Sequence, residues 1–135
     1  MTAATADRNT PRKLGNDFGY PAKGGALVHM GTLVVMAAGL AQPGFTGTGL
    51  FCAGVAKETV DNTAGADGAV TVPVIRGELF RFSNSAAADA ITLADVGHDA
   101  YIVDDSTVAK TDGGGARSIA GKIRDVDAYG VWIYV

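Results

Sequence analysis

A β-prone motif that occurs twice constrains the fold of this chain more than any other feature of its sequence. The first copy, over residues 53–72, reads AGVAKETVDNTAGADGAVTV, and the second, over residues 120–135, reads AGKIRDVDAYGVWIYV. Each copy opens with Ala-Gly, passes through Val-Asp to a glycine and ends in alternating apolar residues. This order is typical of two strands joined by a turn. The repeat therefore predicts a β-scaffold that presents surfaces.

The composition extends this prediction to the whole chain. Glycine occurs 19 times among 135 residues, which is about twice its share in average proteins. Glutamate, a strong helix former, occurs only at positions 58 and 78. Short β-branched runs separated by glycine-rich turns predict an all-β fold, a small glycine-rich β-barrel or sandwich. The only helical candidate is one short segment within residues 83–99, where Thr92 and Gly97 are expected to cap a single turn.

Two further local patterns give specific expectations. The apolar run over residues 31–37 predicts a strand that is buried on both faces, whereas residues 38–48, with several glycines and Pro43, predict a loop. At the end of the chain, alternation places Trp132 and Tyr134 on one face of a strand. The apolar residues on its other face are Val131, Ile133 and Val135.

The first 23 residues differ from the rest in pattern and in charge. They show neither a helical nor a strand period and carry a net charge of +2, while the remaining residues carry −5. We therefore expect an extended N-terminal arm over residues 1–23 and a β-domain over residues 24–135. The residues of the arm that are expected to contact a partner are Arg8, Arg12, Lys13, Phe18 and Tyr20.

Charge and hydropathy narrow the classes of partner. A net charge of −3 and a pI near 5.1 argue against nucleic acid. The longest apolar stretch, near residues 32–41, is too short and too interrupted to span a bilayer. Cys52 is the single cysteine and lies in an apolar run, so a buried, unreactive side chain is expected. With no signal-like N-terminus, these features predict a soluble protein made in a reducing cytoplasm.

The residue types that carry chemistry are not clustered in the sequence. His29 and His98 lack cysteine or carboxylate neighbours at ligand spacing. An acidic group around one loop lacks the spacing of a calcium loop; its members are Asp95, Asp99, Asp104 and Asp105. We therefore expect no enzymatic activity, no cofactor and no metal.

Two segments resemble a known class of proteins. They are residues 90–108, ending in AYIVDDSTV, and the closing residues 120–135. Both are similar to segments of the small decoration or cement proteins of tailed bacteriophages, in which a glycine-rich β-domain ends in a comparable hairpin. The resemblance covers about residues 25–135, so residues 1–23 lie outside it.

The resemblance implies a non-enzymatic virion protein made in the host cytoplasm. Such a protein stabilises the phage head by binding its outer surface and bridging subunits of the major capsid protein. The resemblance also implies a homotrimer, and the apolar fraction of 47% is compatible with buried subunit contacts. Trp132 and Tyr134 are the candidate subunit-interface residues.

Two alternatives remain open at the level of sequence. A ligand- or carbohydrate-binding β-module for host adhesion would use exposed aromatics, for which Tyr101, Tyr129, Trp132 and Tyr134 are available. A trimeric dUTPase-like enzyme would have similar length and an all-β fold. That second alternative fits less well, because Ala53-Gly54 and Asp61 are too far apart for its Ala-Gly-x-x-Asp motif.

Overall fold

Short strands dominate residues 2–135, the part of the chain that the computed structural model describes. The all-β prediction is confirmed, with twelve strands and two single-turn 3-10 helices at Ala87–Asp89 and Leu93–Asp95 in the described residues. The strands are β1 Asp17–Pro21, β2 Leu27–Val28, β3 Leu33–Ala37, β4 Leu40–Pro43, β5 Phe51–Ala56, β6 Val60–Asp61, β7 Thr71–Ile75, β8 Leu79–Asn84, β9 Asp99–Ile102, β10 Thr107–Ala109, β11 Ile119–Asp127 and β12 Gly130–Tyr134.

The strands form two main sheets and one small ribbon. The first sheet has five antiparallel strands in the order β1-β7-β5-β3-β4, and β2 pairs with β6 beside it. At one end the outer strands of the first sheet meet, because Ala22 bridges to Ala41 and the Lys23 amide donates to the Ala41 carbonyl at 2.9 Å. The second sheet closes into a barrel in the order β10-β8-β12-β11-β9.

Two apolar cores lie on opposite sides of the central strands of the first sheet. Leu33 and Val35 of β3 face the core that fills the barrel, whereas Val34 faces a second core enclosed by the curled first sheet. Strand β5 alternates in the same way, with Cys52 and Val55 in the first core and Ala53 in the second. The predicted two-sided burial of the run over residues 31–37 is thus confirmed for its central residues.

The repeated motif forms a strand pair in both copies. In the second copy β11 and β12 make a direct hairpin, whereas in the first copy β5 and β7 pair across an insertion that contains β6. The motif glycines Gly54 and Gly121 play the same role. A Cβ on Gly54 would collide with the Ile75 carbonyl oxygen, and a Cβ on Gly121 would collide with that of Tyr134.

The helical segment within residues 83–99 is confirmed as a pair of single turns. Thr92 and Asp95 form a reciprocal capping box around the second turn, and the Asp95 carboxylate accepts a 2.8 Å hydrogen bond from the Thr92 amide. Gly97 has a φ of 93°, the left-handed conformation expected at the end of this turn.

The loop predicted over residues 38–48 is wrong in its first part. Ala38 and Gly39 form a tight turn with φ values of 50° and 81°, and β4 follows at once as the antiparallel partner of β3. Strand β4 lies at the edge of its sheet, which is where a strand that ends in Pro43 can be accommodated. The short length of β4 concealed it among the turn residues of the sequence.

The boundary of the N-terminal arm also lies earlier than residue 23. Asp17–Pro21 form β1, which pairs with β7 over five residues, and Ala22 is buried. The paired residues of β7 lie fifty or more positions away in the sequence, so no local pattern in the arm predicts this pairing. The segment outside the sheets is therefore residues 2–16, which is called the N-terminal segment below.

Candidate interaction surfaces

The N-terminal segment carries the predicted cationic residues. Arg8, Arg12 and Lys13 are all exposed, and no helix or strand forms within residues 2–16. The Lys13 ammonium lies 5.1 Å from the centre of the Phe18 ring, a cation–π distance that holds this end of the segment beside β1. The segment therefore presents positive charge next to an edge strand.

Phe18 and Tyr20 lie in the fold, on the inner side of β1. Their rings are stacked with centres 5.9 Å apart and planes 7° from parallel, and both pack against the second core. Both side chains remain half-buried. Their inward direction means that the fold already uses much of the apolar area that was predicted to dock on a partner.

The outer edge of β1 has unpaired backbone groups. The Asn16 carbonyl and the Ala22 amide both bond to the β7 side, at 2.8 and 2.9 Å. Because backbone groups in an antiparallel strand alternate between its two sides, the N–H and C=O groups of Asp17 and Gly19 point away from β7. Gly19 has no side chain and is exposed, so this edge is open to another extended strand.

A second surface lies on the outside of the barrel. It is called the outer barrel face and consists of Leu79, Arg81, Tyr129, Trp132 and Tyr134. The alternation predicted for β12 is confirmed, because Val131, Ile133 and Val135 are buried while Tyr134 is 47% exposed. Across the strands, Tyr134 is opposite Leu79 and Trp132 is opposite Arg81.

The aromatic side chains of this face are held by polar contacts. The Arg81 guanidinium lies 5.5 Å from the Tyr129 ring centre and 5.6 Å from that of Trp132. The Trp132 indole N–H donates to Asp127 at 2.8 Å, and Asp127 also accepts the backbone N–H groups of Tyr129 and Gly130. Arg81 was missed in the sequence, although its position two residues after Leu79 on one strand is the signal that places both on one face.

Asp127, the last residue of β11, makes the stability of the β11–β12 hairpin depend on pH. The Trp132 indole N–H and then the Tyr129 amide lower the pKa of its carboxyl below the ordinary value of 3.8. A lowered folded-state pKa contributes stability that is full above 3.8 and is lost as the pH falls through the folded value. We expect Asp127→Ala to destabilise the protein, as measured by urea unfolding, and this loss of stability to be greatest above pH 3.8 and to shrink as the pH falls below that value. A loss that does not change with pH would assign the effect to packing.

The residues that were considered as metal ligands do not form a cluster, and three of the acidic ones are engaged in ion pairs or hydrogen bonds. His29 and His98 are exposed, and the described residues contain no group of three or more histidine, cysteine or acidic side chains that could hold a metal ion. Asp95 lies 3.5 Å from the Lys110 ammonium, and Asp99 lies 2.7 Å from that of Lys122. Asp104 instead accepts from the backbone and hydroxyl of Ser106 in the predicted turn.

Cys52 is buried in the first core, as predicted from its apolar neighbours. Burial disfavours the thiolate and raises the pKa of the thiol to about 11. A thiol that stays protonated at neutral pH is a poor nucleophile and a poor metal ligand.

An open depression of about 620 Å³ lies between the first sheet and the barrel. It is called the Arg76 depression and is lined by Phe51, Arg76, Tyr101, Asp112, Arg117 and Ile119, among others. No local pattern in the sequence predicts this depression, because its lining comes from four separate parts of the chain.

Neither short helix in the described part of the chain is long and apolar enough to cross a membrane. Comparisons of the chain with protein-family models, with curated proteins and with solved structures find no match.

Proposed function

We propose that this protein is a non-enzymatic virion structural protein, a decoration or cement protein that binds the outer surface of a phage head. In this role it stabilises the head by bridging neighbouring subunits of the major capsid protein. The proposal combines the resemblance of residues 90–108 and 120–135 to such proteins with the surfaces that the fold presents.

The observation that carries the proposal is the continuity of an exposed basic segment with an open sheet edge. Residues 2–16 leave the fold directly at β1, whose outer edge carries the free backbone groups of Asp17 and Gly19. An extended segment and an open edge are the two elements of strand addition between proteins. A single contact of this kind is weak, but many copies on one shell gain strength by multivalency.

The charge of the segment contributes less than its backbone. Exposed ion pairs contribute about 0.2–1 kcal/mol each, so Arg8, Arg12 and Lys13 together supply a modest, salt-sensitive part of the binding free energy. Added main-chain hydrogen bonds supply the part that persists at high salt.

Deletion of residues 2–15 tests the proposal. This deletion leaves Asn16, whose carbonyl accepts the Arg76 amide, so the sheet is preserved. We expect the truncated protein to bind empty phage heads roughly tenfold more weakly in co-sedimentation, which corresponds to about 1.4 kcal/mol. Equal binding by the truncated and full-length proteins would remove the segment from the contact.

A matched pair of variants tests the β1 edge separately. Gly19→Pro removes the outward N–H group, whereas Gly19→Ala keeps it, and both place a Cβ near the Thr71 methyl group, 2.9 Å from the ideal position. Weaker head binding by Gly19→Pro alone supports strand addition. Equal binding by the two variants contradicts it.

The proposed assembly is a homotrimer with Trp132 and Tyr134 at the subunit interface. Leu79 and Tyr134, cross-strand neighbours on the outer barrel face, are each 47% exposed, and their contact with another subunit would bury apolar area. We expect sedimentation to give a trimer for the wild type and smaller species for Tyr134→Glu. A wild-type monomer at micromolar concentration would contradict a free trimer.

The outer barrel face also favours a second candidate function, a carbohydrate-binding module for host adhesion. Tyr129 is 79% exposed, and its ring and the Trp132 ring both lie near Arg81, so this face offers aromatic surface to a sugar ring. A glycan array distinguishes the candidates, because a cement protein is expected to bind heads and no glycan, whereas an adhesion module is expected to bind a glycan and to lose that binding in Trp132→Ala.

A further inference from the structure

The Arg76 depression holds an arginine that is fixed in place and only partly used. Arg76 follows β7, and its Nη1 group donates to the carbonyls of Cys52 and Ala53 at 3.2 and 3.4 Å. The guanidinium lies 5.0 Å from the centre of the Phe51 ring. These contacts orient the group from one side and from one face.

The other side of the Arg76 guanidinium is free. Among residues 2–135, no acceptor contacts its Nε or Nη2 atoms, and no carboxylate lies within ion-pair distance. The Nε–H and Nη2–H groups form the planar pair of donors that binds a carboxylate through two parallel hydrogen bonds. Arg76 therefore presents an unused carboxylate-binding edge, although the protein as a whole is acidic.

The other charged groups of the depression are already engaged. Arg117 donates to the Asp89 carboxylate at 3.2 Å and to the Thr111 carbonyl at 3.1 Å. Asp112 accepts the Gly114 amide at 3.1 Å. Arg76 is thus the cation in this depression that lacks an acidic partner among the described residues.

Apolar side chains line the same depression. Phe51 is 52% exposed and Ile119 is 48% exposed, so both offer apolar area that a ligand can cover. A ligand that covers them while reaching Arg76 must carry a carboxylate next to an apolar group. Aspartate or glutamate flanked by aromatic or aliphatic residues in an extended peptide has this chemistry.

We propose that the Arg76 depression binds an acidic side chain, together with its apolar neighbours, from an extended segment of a partner protein. The inference rests on the proposed function only in naming the major capsid protein as the source of that segment. The chemistry of the site applies to any protein partner.

The test uses the full chain and two short peptides, acetyl-Phe-Glu-Leu-amide and its neutral counterpart acetyl-Phe-Gln-Leu-amide. Binding is followed by NMR through the Arg76 Nε–H and Ile119 methyl signals. We expect the glutamate peptide to bind about tenfold more tightly than the glutamine peptide, because only the former makes charge-assisted bonds to the guanidinium. Equal affinities would overturn the proposal, as would inorganic phosphate that competes as strongly as the glutamate peptide.

Substitutions of Arg76 test whether this side chain causes the preference for the glutamate peptide. Arg76→Gln should abolish the preference for the glutamate peptide, whereas Arg76→Lys, which keeps the charge but lacks the paired donors, should reduce it. Arg81→Gln is the matched control, because Arg81 also stacks on aromatic rings but lies on the outer barrel face. A preference that survives in Arg76→Gln, or disappears in Arg81→Gln, would contradict the assignment.

These results are independent of head binding. Peptide preference without binding to phage heads would keep the carboxylate site and reject the cement function. Head binding without peptide preference would keep the cement function and reject the carboxylate site.

Discussion

Replacing Gly121 with alanine is expected to lower the free energy of unfolding by about 3 kcal/mol, at the upper end of the usual cost of overpacking. The added Cβ would collide with the Tyr134 carbonyl oxygen and lie 3.0 Å from the carbonyl carbon. Both atoms belong to the backbone of β12, so the collision is relieved only if the β11–β12 hairpin shifts. Urea unfolding followed by circular dichroism measures the effect.

Gly15→Ala is the control for this experiment. No heavy atom lies within 4 Å of the position of its added Cβ, and an exposed substitution of this kind changes stability by less than about 0.5 kcal/mol. If the two variants unfold at the same urea concentration, the close approach of β11 and β12 at Gly121 is not required for stability.

Ile133→Ala should have an effect of similar or greater size, about 3–4 kcal/mol. Ile133 is fully buried in the first core, on the inner face of β12. The substitution removes three carbon atoms from the core of the barrel and leaves a cavity that the closed sheet cannot easily fill. The loss is a large part of the 5–15 kcal/mol that stabilises a typical domain, and thermal or urea unfolding should detect it directly.

The next residue along the strand provides the comparison. Tyr134 faces outward and is half-exposed, so Tyr134→Ala should cost the isolated subunit about 1 kcal/mol or less. Equal losses for the two variants would show that the two faces of β12 contribute alike, which contradicts the alternation of burial.

Structural features that are determined by residues close together in the sequence were predictable. The alternation in β12 follows from its period of two, and the turn from Thr92 to Gly97 follows from a capping residue and a glycine. The buried position of Cys52 follows from its apolar neighbours. In each case the determining residues lie within about six positions of one another.

Residues that depend on distant pairing were not predictable. Strand β1 contains Gly19 and Pro21, both poor strand formers, and it is ordered by pairing with β7, from which five other strands separate it along the chain. The lining of the Arg76 depression has the same origin, because Phe51, Arg76 and Ile119 meet only when the sheet and barrel pack together. The periodicity of apolar residues along the sequence carries no information about contacts between distant segments.

The two-sided burial of β3 and β5 has a consequence for the dynamics of the molecule. Because Val34 and Ala53 support one core while Leu33 and Val55 support the other, these strands cannot leave their places without opening both cores. Their amide hydrogens are therefore exposed to solvent only when the entire domain unfolds, and their exchange rates report the global free energy. The amides of residues 2–16, which lie outside both sheets, exchange without any unfolding.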